Sequence, residues 1–252
     1  MASRYVISNV LVMVLSSFCF HFMVPWFSRK LTSHFKSYQK LPSKLQTEWH
    51  NRNVSTVHST IVTVLSIYVA LTDTDGYRNA IWAESQTAEM VLSILLGYIY
   101  SDIVYLLQSS PSQTDAYWGS MLHHIIVVIV YSCCTFWGCY THLTIVRTIA
   151  EVSTPFVNMR WILDACRMKD SKVFMYNGIL MTLTFFGGRI LLMPYAYVRL
   201  YQLRNTKDFQ KLGKVAYTIL LGIFVDGLNI YWFARIMKGL IKYIKINTAG
   251  KD

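Results

Sequence analysis

Residues 116–146 contain no Asp, Glu, Lys or Arg, a run of 31 positions without a formal charge. At about 1.5 Å per residue a helix of that length overshoots the roughly 30 Å hydrocarbon core of a bilayer. The apolar character also carries on past Arg147 and Glu151 to Asn158. One membrane span cannot absorb the whole stretch. It predicts two, joined by a tight turn near Gly138.

Five further windows have the same character. Residues 5–27 carry no charge, are followed at once by Arg29 and Lys30, and show no small-x-small cleavage pattern, which marks a retained span rather than a removed signal. Residues 54–72 are uncharged, and 87–108 are interrupted only by Glu89 and Asp102. Residues 173–198 hold Arg189 and 215–233 hold Asp226, which makes five such windows beyond the central stretch, the last two each with one ionisable group. With 54% hydrophobic and only 15% charged residues, the chain falls outside soluble globular proteins. The expectation is an all-α, polytopic membrane protein of seven transmembrane helices.

Lys and Arg accumulate in cytoplasmic loops and so test that count. With seven spans and the N-terminus outside, fifteen of them fall on the cytoplasmic side and seven opposite; fusing 116–158 into one span gives eleven and eleven. The uneven split favours a lumenal N-terminus and a cytoplasmic C-terminus. All seven Trp lie near proposed span ends, where an amphipathic ring meets headgroups. The net charge of +11 is dispersed around those ends and not gathered on a soluble module, which excludes nucleic acid and leaves anionic headgroups as the partner.

The organisation reads as residues 1–45, a first span and a basic connection; 46–245, a six-span domain; and 246–252, a short cytoplasmic tail. Lys36, Lys40 and Lys44 interleave with apolar residues in a pattern suited to a surface helix, which Pro42 interrupts. Lys238, Lys242 and Lys245 continue the last helix toward headgroups. Asn53 opens an N-V-S triplet that faces the cytoplasm in this topology and is expected to stay unmodified. Cys133, Cys134 and Cys139 lie near the turn at Gly138, where a disulfide is compatible with the spacing but not required.

Ionisable groups inside spans are expensive and face a bundle interior by default. Six successive spans each supply at least one: His58, Asp102, His123 with His124, Arg147 with Glu151, Arg189, and Asp226. Arg147 and Glu151, at i and i+4, are placed to neutralise one another, and Arg189 and Asp226 to pair between helices; a role in a site is the alternative for both. For His58 a packing role outweighs a ligand role. The adjacent His123 and His124 point about 100° apart, so one ring faces the interior while the other meets a neighbouring helix. That spacing disfavours a shared metal, and no Cys/His metal pattern stands elsewhere. An imidazole suits general-base or nucleophilic chemistry, with Asp102 or Glu151 as orienting carboxylate.

The blocks "WHNRNVSTVHS" at 49–59, "SD" at 101–102, "LHH" at 122–124, "AEVSTPFVNMRW" at 150–161 and "DGLNIYW" at 226–232 resemble the TLC family, named for homology among TRAM, Lag and CLN-type proteins. The resemblance covers nearly all of the chain after the first span. It implies an endoplasmic-reticulum membrane protein whose last six helices form a barrel around a lipid-sized cavity, with Arg52, His58, Arg147, Asn158, Arg189, Asp226 and Asn229 as polar cavity residues. Some members of the family are ceramide synthases, in which the adjacent histidines serve acyl transfer with two aspartates on the next span. His123 and His124 match that pair, Glu151 and Thr154 fall at the two aspartate positions, and Ala150 stands where the family has histidine. The expectation is a lipid- or acyl-chain-binding protein of lipid homeostasis without a cofactor. The alternative is an acyltransferase that uses His123, His124, Asp102 and Glu151 with acyl-CoA as co-substrate, whose phosphates would meet Arg52, Arg160 and Lys172.

Overall fold

A computed structural model of the protein describes residues 3–108 and 115–249, and every regular element among them is helical. The chain forms α1 (Val6–Thr32), α2 (Ser43–Thr72), α3 (Gln86–Gln108), α4 (Asp115–Trp137), α5 (Thr141–Thr148), α6 (Thr154–Ala165), α7 (Lys172–Leu203) and α8 (Thr218–Ala249). Local chemistry sets the ends. Pro42, in an extended conformation, stops the short Lys36–Gln39 helix from fusing with α2. Asp73 leaves the helical region at the far end of α2, and its carboxylate accepts from Gly76 N to cap the next turn. Ser171 caps α7 by accepting from Phe174 N at 3.2 Å.

The charge-free stretch turns back where Gly138 takes φ +62°, a conformation that costs glycine little. Thr141 then donates to Ala83 O at 2.6 Å and anchors the start of α5. Six helices among the described residues are long and apolar enough to cross a membrane, one fewer than the seven expected. The expected fifth span corresponds to the run 141–165, which is broken: α5 passes through a 3-10 segment, Ile149–Ser153, before α6 starts with Pro155 in its first turn. Proline donates no N–H and its ring crowds the preceding turn, so a single regular helix through this point is excluded. The run nevertheless passes between the two ends of the bundle, from Ala83 near its start to Arg52, which bonds Asn158.

Burial is inverted relative to a soluble protein. Polar side chains such as Ser59, Ser66, Ser93 and Asn229 are buried, while Ile7, Leu71, Val64 and Leu183 stand out from the surface. A hydrocarbon surround covers such faces without cost, and small residues then let helices approach closely. Gly97 of α3 shows the second point: a Cβ there would lie 2.5 Å from Met13 O of α1. Of the tryptophans, Trp26, Trp118 and Trp137 are exposed near helix ends, but Trp49 is buried against Tyr38 and Trp232 faces inward. The lysine face of α8 reaches Lys242; the side chain of Lys245 and residues 250–252 of the expected tail lie outside the described residues.

Candidate functional site

The helices from α2 onward enclose a cavity of about 890 Å³, near the upper end of the range for small-molecule sites. Its lining begins at Ser43, so α1 stands outside it. On α4 the lining extends from Tyr117 to Cys134, roughly 25 Å of helix at about 1.5 Å per residue. Lys44, Glu48 and Arg52 stand at one end, and Leu143, Leu200 and Ile219 at the other. The eleven ionisable and amide residues singled out from the sequence all face this one space: Arg52, His58, Asp102, His123, His124, Arg147, Glu151, Asn158, Arg189, Asp226 and Asn229.

The histidine pair divides as adjacent helical positions must. His124 reaches α3, where its Nε2 donates to Asp102 Oδ2 at 2.7 Å, and Asn51 Nδ2 donates to Asp102 Oδ1 at 2.9 Å. His123 turns toward α8, its ring at 5.6 Å from that of Trp232 in an edge arrangement. With Nε2 protonated toward the carboxylate, a neutral His124 presents an Nδ1 lone pair, and that atom is buried with no hydrogen-bond partner among the described residues. Asp102 is therefore the carboxylate that meets the pair. Glu151 makes no hydrogen bond to either histidine among the described residues.

Glu151 belongs to a second cluster. Its Oε2 accepts from Thr154 Oγ1 at 2.6 Å and its Oε1 from Arg189 Nη2 at 3.4 Å. Arg189 also donates to Ser153 Oγ, Thr154 Oγ1 and Asn229 Oδ1 at 3.1–3.3 Å. The expected partnerships are thus corrected. Arg147 pairs not with Glu151 but with Asp226, which also accepts from Tyr197 OH at 2.5 Å, and Arg189 takes Glu151 in place of Asp226. The reason is the backbone. The i, i+4 geometry requires an α-helix, and the 3-10 segment Ile149–Ser153 turns Glu151 away from Arg147. Opposite it, α7 widens into a π-turn, Phe186–Leu191, which carries Arg189. Gly188 lets the two distorted segments meet, since a Cβ there would lie 2.8 Å from Val152 Cγ1 and 3.3 Å from Ile149 O.

At the polar end, Arg52 bonds Glu48 Oε1 at 3.0 Å and Asn158 Oδ1 at 3.3 Å, and Asn158 in turn donates to Thr56. Each arginine of the cavity thus has one carboxylate, and the fourth carboxylate, Asp102, has His124. His58 stacks on Tyr98 with ring centroids 3.6 Å apart, and both its nitrogens lack hydrogen-bond partners among the described residues. Arg160 lies in a neighbouring pocket with its guanidinium 3.8 Å from the centre of the Phe174 ring, and Lys172 lines neither space. The cysteines are free thiols; Cys134 accepts from Thr144 Oγ1 instead of bonding to Cys133 or Cys139. No group of three or more His, Cys, Asp or Glu stands close enough to hold a metal among the described residues.

Sequence reasoning left out Asn51, Ser153, Tyr197 and Tyr98. Asn51 sat inside the quoted 49–59 block, and Ser153 and Thr154 inside the 150–161 block. Thr154 drew notice only as a missing carboxylate, yet here its hydroxyl joins Arg189 to Glu151. Tyr197 carries no signal, since an isolated tyrosine in an apolar helix reads as packing.

The family profile of the TLC domain matches residues 48–238, the stretch from which almost all of the cavity wall is drawn. The chain is 32% identical to human TLC domain-containing protein 4 over 89% of its own length and 85% of that protein. It is 29% identical to TLC domain-containing protein 4-B of Xenopus laevis, covering 94% and 89% of the two chains. A more distant likeness, 26% over 75% of this chain and 74% of the other, is to human TLC domain-containing protein 1. This chain belongs to the TLC domain family.

Proposed function

We propose that the protein is a multi-pass protein of the endoplasmic-reticulum membrane that holds a lipid or fatty acyl chain in its intramembrane cavity and thereby serves lipid homeostasis. The observation that carries this reading is the form of the cavity: about 890 Å³, with the charged Lys44, Glu48 and Arg52 at one end and the uncharged Leu143, Thr144, Leu200, Thr218 and Ile219 at the other. An amphipathic molecule has that polarity, and the bilayer supplies such molecules directly. The same reading puts the N-terminus in the lumen and the C-terminus in the cytoplasm, in keeping with the distribution of Lys and Arg.

A second reading is favoured by one specific contact, the 2.7 Å bond between His124 and Asp102. In it the protein is an acyl-CoA-dependent N- or O-acyltransferase. His124 Nδ1 takes a proton from an amine, such as a sphingoid base, or from a hydroxyl as that group attacks the thioester carbon. The C–S bond breaks, and the proton passes to the leaving thiolate. Asp102 holds the ring and balances the imidazolium that forms.

Both readings are tested on protein purified in detergent. Mass spectrometry of extracted lipid, alongside labelled acyl-CoA offered with amines, lysolipids and alcohols, compares wild type with His123→Ala and His124→Ala. Co-purified lipid retained by both variants without turnover is the expected result. Acyl transfer by wild type that either variant loses makes the protein an enzyme, and absence of any retained lipid overturns the binding reading.

A further inference from the structure

Some buried polar atoms of the cavity wall have hydrogen-bonding capacity that no protein group uses. Among the described residues they fall into two groups. His58, His123 and His124 supply one, at the level of the histidine pair. Tyr140 OH and Arg147 Nη1 are the other, further toward the Leu143 end. Helix rise sets the spacing. Arg147 pairs with Asp226 of α8 and His123 meets Trp232, six residues on, so these levels stand about 9 Å apart at about 1.5 Å per residue. Arg52, at the charged end, bonds Asn158, eleven residues after Arg147, which puts Arg147 about 16 Å from that end. Tyr140 stands seven residues before Arg147, about 10 Å further on. A donor buried without an acceptor is costly, so each of these two groups marks a place where an acceptor from a bound molecule fits. Tyr140 adds a second sign. Its φ is +55°, in the left-handed region that glycine occupies at least cost, and its N–H donates to Ile81 O at 2.9 Å, which holds it there. A large side chain kept at such a position points to a use for that side chain. Phenylalanine would fill the space as well, so the use lies in the hydroxyl.

We propose that the molecule held in the cavity carries a neutral oxygen, a hydroxyl or a carbonyl, on the far half of its hydrocarbon body, and that Arg147 Nη1 and Tyr140 OH recognise it. This assignment rests on the proposed lipid-binding role and names the class of its ligand, an oxygenated acyl chain in place of a plain one. Neutrality follows from the pairing. The charge of Arg147 is met by Asp226 and a phenol carries none, so a carboxylate at this depth would go uncompensated, whereas a hydroxyl or carbonyl oxygen accepts without bringing a charge. Position follows from length. An extended chain advances about 1.2 Å per bond, so about a dozen bonds separate a headgroup beside Arg52 from the level of Arg147, and about twenty from that of Tyr140.

The test offers the full chain in detergent octadecanoic acid in equal mixture with its 2-hydroxy, 12-hydroxy or 18-hydroxy derivative. Mass spectrometry of the extracted lipid reads the ratio retained by wild type, by Tyr140→Phe, and by Arg147→Met/Asp226→Leu, which removes the ion pair as a unit. Wild type should favour the 12-hydroxy and 18-hydroxy acids about fivefold, the factor that one net hydrogen bond contributes. The 2-hydroxy acid, whose hydroxyl stays at the headgroup, should gain nothing. Tyr140→Phe should lose the preference for the 18-hydroxy acid alone, and the paired variant that for the 12-hydroxy acid. Tyr140→Phe breaks no side-chain hydrogen bond among the described residues, so it should melt with wild type and hold octadecanoic acid equally well. If the paired variant does not fold, the 18-hydroxy acid and Tyr140→Phe decide. Equal retention of plain and hydroxylated acids by wild type overturns the inference and leaves the lipid-binding reading standing, since water then serves both donors. A preference that both variants keep overturns it as well, because the oxygen is then met elsewhere. Binding of none of the acids sinks the lipid-binding reading and the inference with it.

Discussion

The cavity has two kinds of wall. On one side α3 and α4 are unbroken helices of 23 residues each, and they present a single histidine–aspartate bond to the interior. On the other, the run 141–165 and α7 are both interrupted, one by a 3-10 segment and one by a π-turn, and the two distortions bring Arg189 to Glu151, Ser153 and Thr154, while Arg147 of α5 pairs with Asp226 of the neighbouring α8. Irregular backbone at membrane depth survives where it is buried in protein or lines a cavity, because only there can its freed groups find partners. The difference teaches that the Arg189–Glu151 network depends on backbone distortion, while the His124–Asp102 bond is made by regular helices alone. The regular wall carries one histidine–carboxylate pair, while the broken wall carries a network of arginine, carboxylate and hydroxyl groups.

The sharpest way to break this comparison is to remove Arg189. Arg189→Met leaves Glu151 buried without its cation and should cost about 3–5 kcal/mol, read as a lower melting temperature and a smaller monodisperse fraction in detergent. The double variant Glu151→Met/Arg189→Met removes both charges and should recover most of that loss. Equal instability of the single and double variants would mean that the arginine acts through packing and not through charge.

Next in size are the two close approaches. Gly188→Ala drives a Cβ to 2.8 Å from Val152 Cγ1 between the two distorted segments, and Gly97→Ala drives one to 2.5 Å from Met13 O between α3 and α1. Each should cost about 1–3 kcal/mol through forced shifts. Only Gly188→Ala should also reduce retained lipid, because α1 does not line the cavity. Loss of lipid in Gly97→Ala with an unchanged Gly188→Ala would reverse the roles of the two walls.

These positions also show how far the sequence could be read. Charge-free windows located the helices, and ionisable residues inside them pointed to a common interior, because hydrocarbon tolerates few such groups outside it. What the windows could not give was partnership. Arg147 and Glu151 fit the i, i+4 rule, and only the 3-10 segment, hinted at by Pro155, moves them apart. Gly187 and Gly188 likewise mark a place where α7 can distort, but nothing in one sequence says that the distortion faces residues 149–153. Asn51 and Tyr197 were illegible for a simpler reason, since an amide or a phenol draws notice only once the carboxylate that it serves has been placed.

On the regular wall the expected effect is smaller. Asp102→Asn keeps an acceptor for His124 and leaves behind a residue that can be neutral, so the loss should be about 1 kcal/mol, against the larger figure for Arg189→Met. A double-mutant cycle with His124→Ala measures the coupling directly and should give about 0.5–3 kcal/mol. A coupling near zero would show that the 2.7 Å contact does not hold the ring, which removes the ground for the acyltransferase reading.

The smallest expected effect is none at all, at Asn53 on α2. Its amide donates to Ser28 Oγ of α1 at 2.9 Å, and the same hydroxyl meets His50 Nδ1 at 2.8 Å, so α1 is fastened to α2, beside the regular wall, through these side chains. A glycan on Asn53 would have to break that bond and enter the gap between two packed helices. Glycosidase treatment should therefore leave the mass unchanged, and Asn53→Gln should migrate with wild type. A mass loss that Asn53→Gln abolishes would place this end of α2 in the lumen, reverse the orientation inferred from the basic residues, and show that α1 is not fastened to α2 at Ser28.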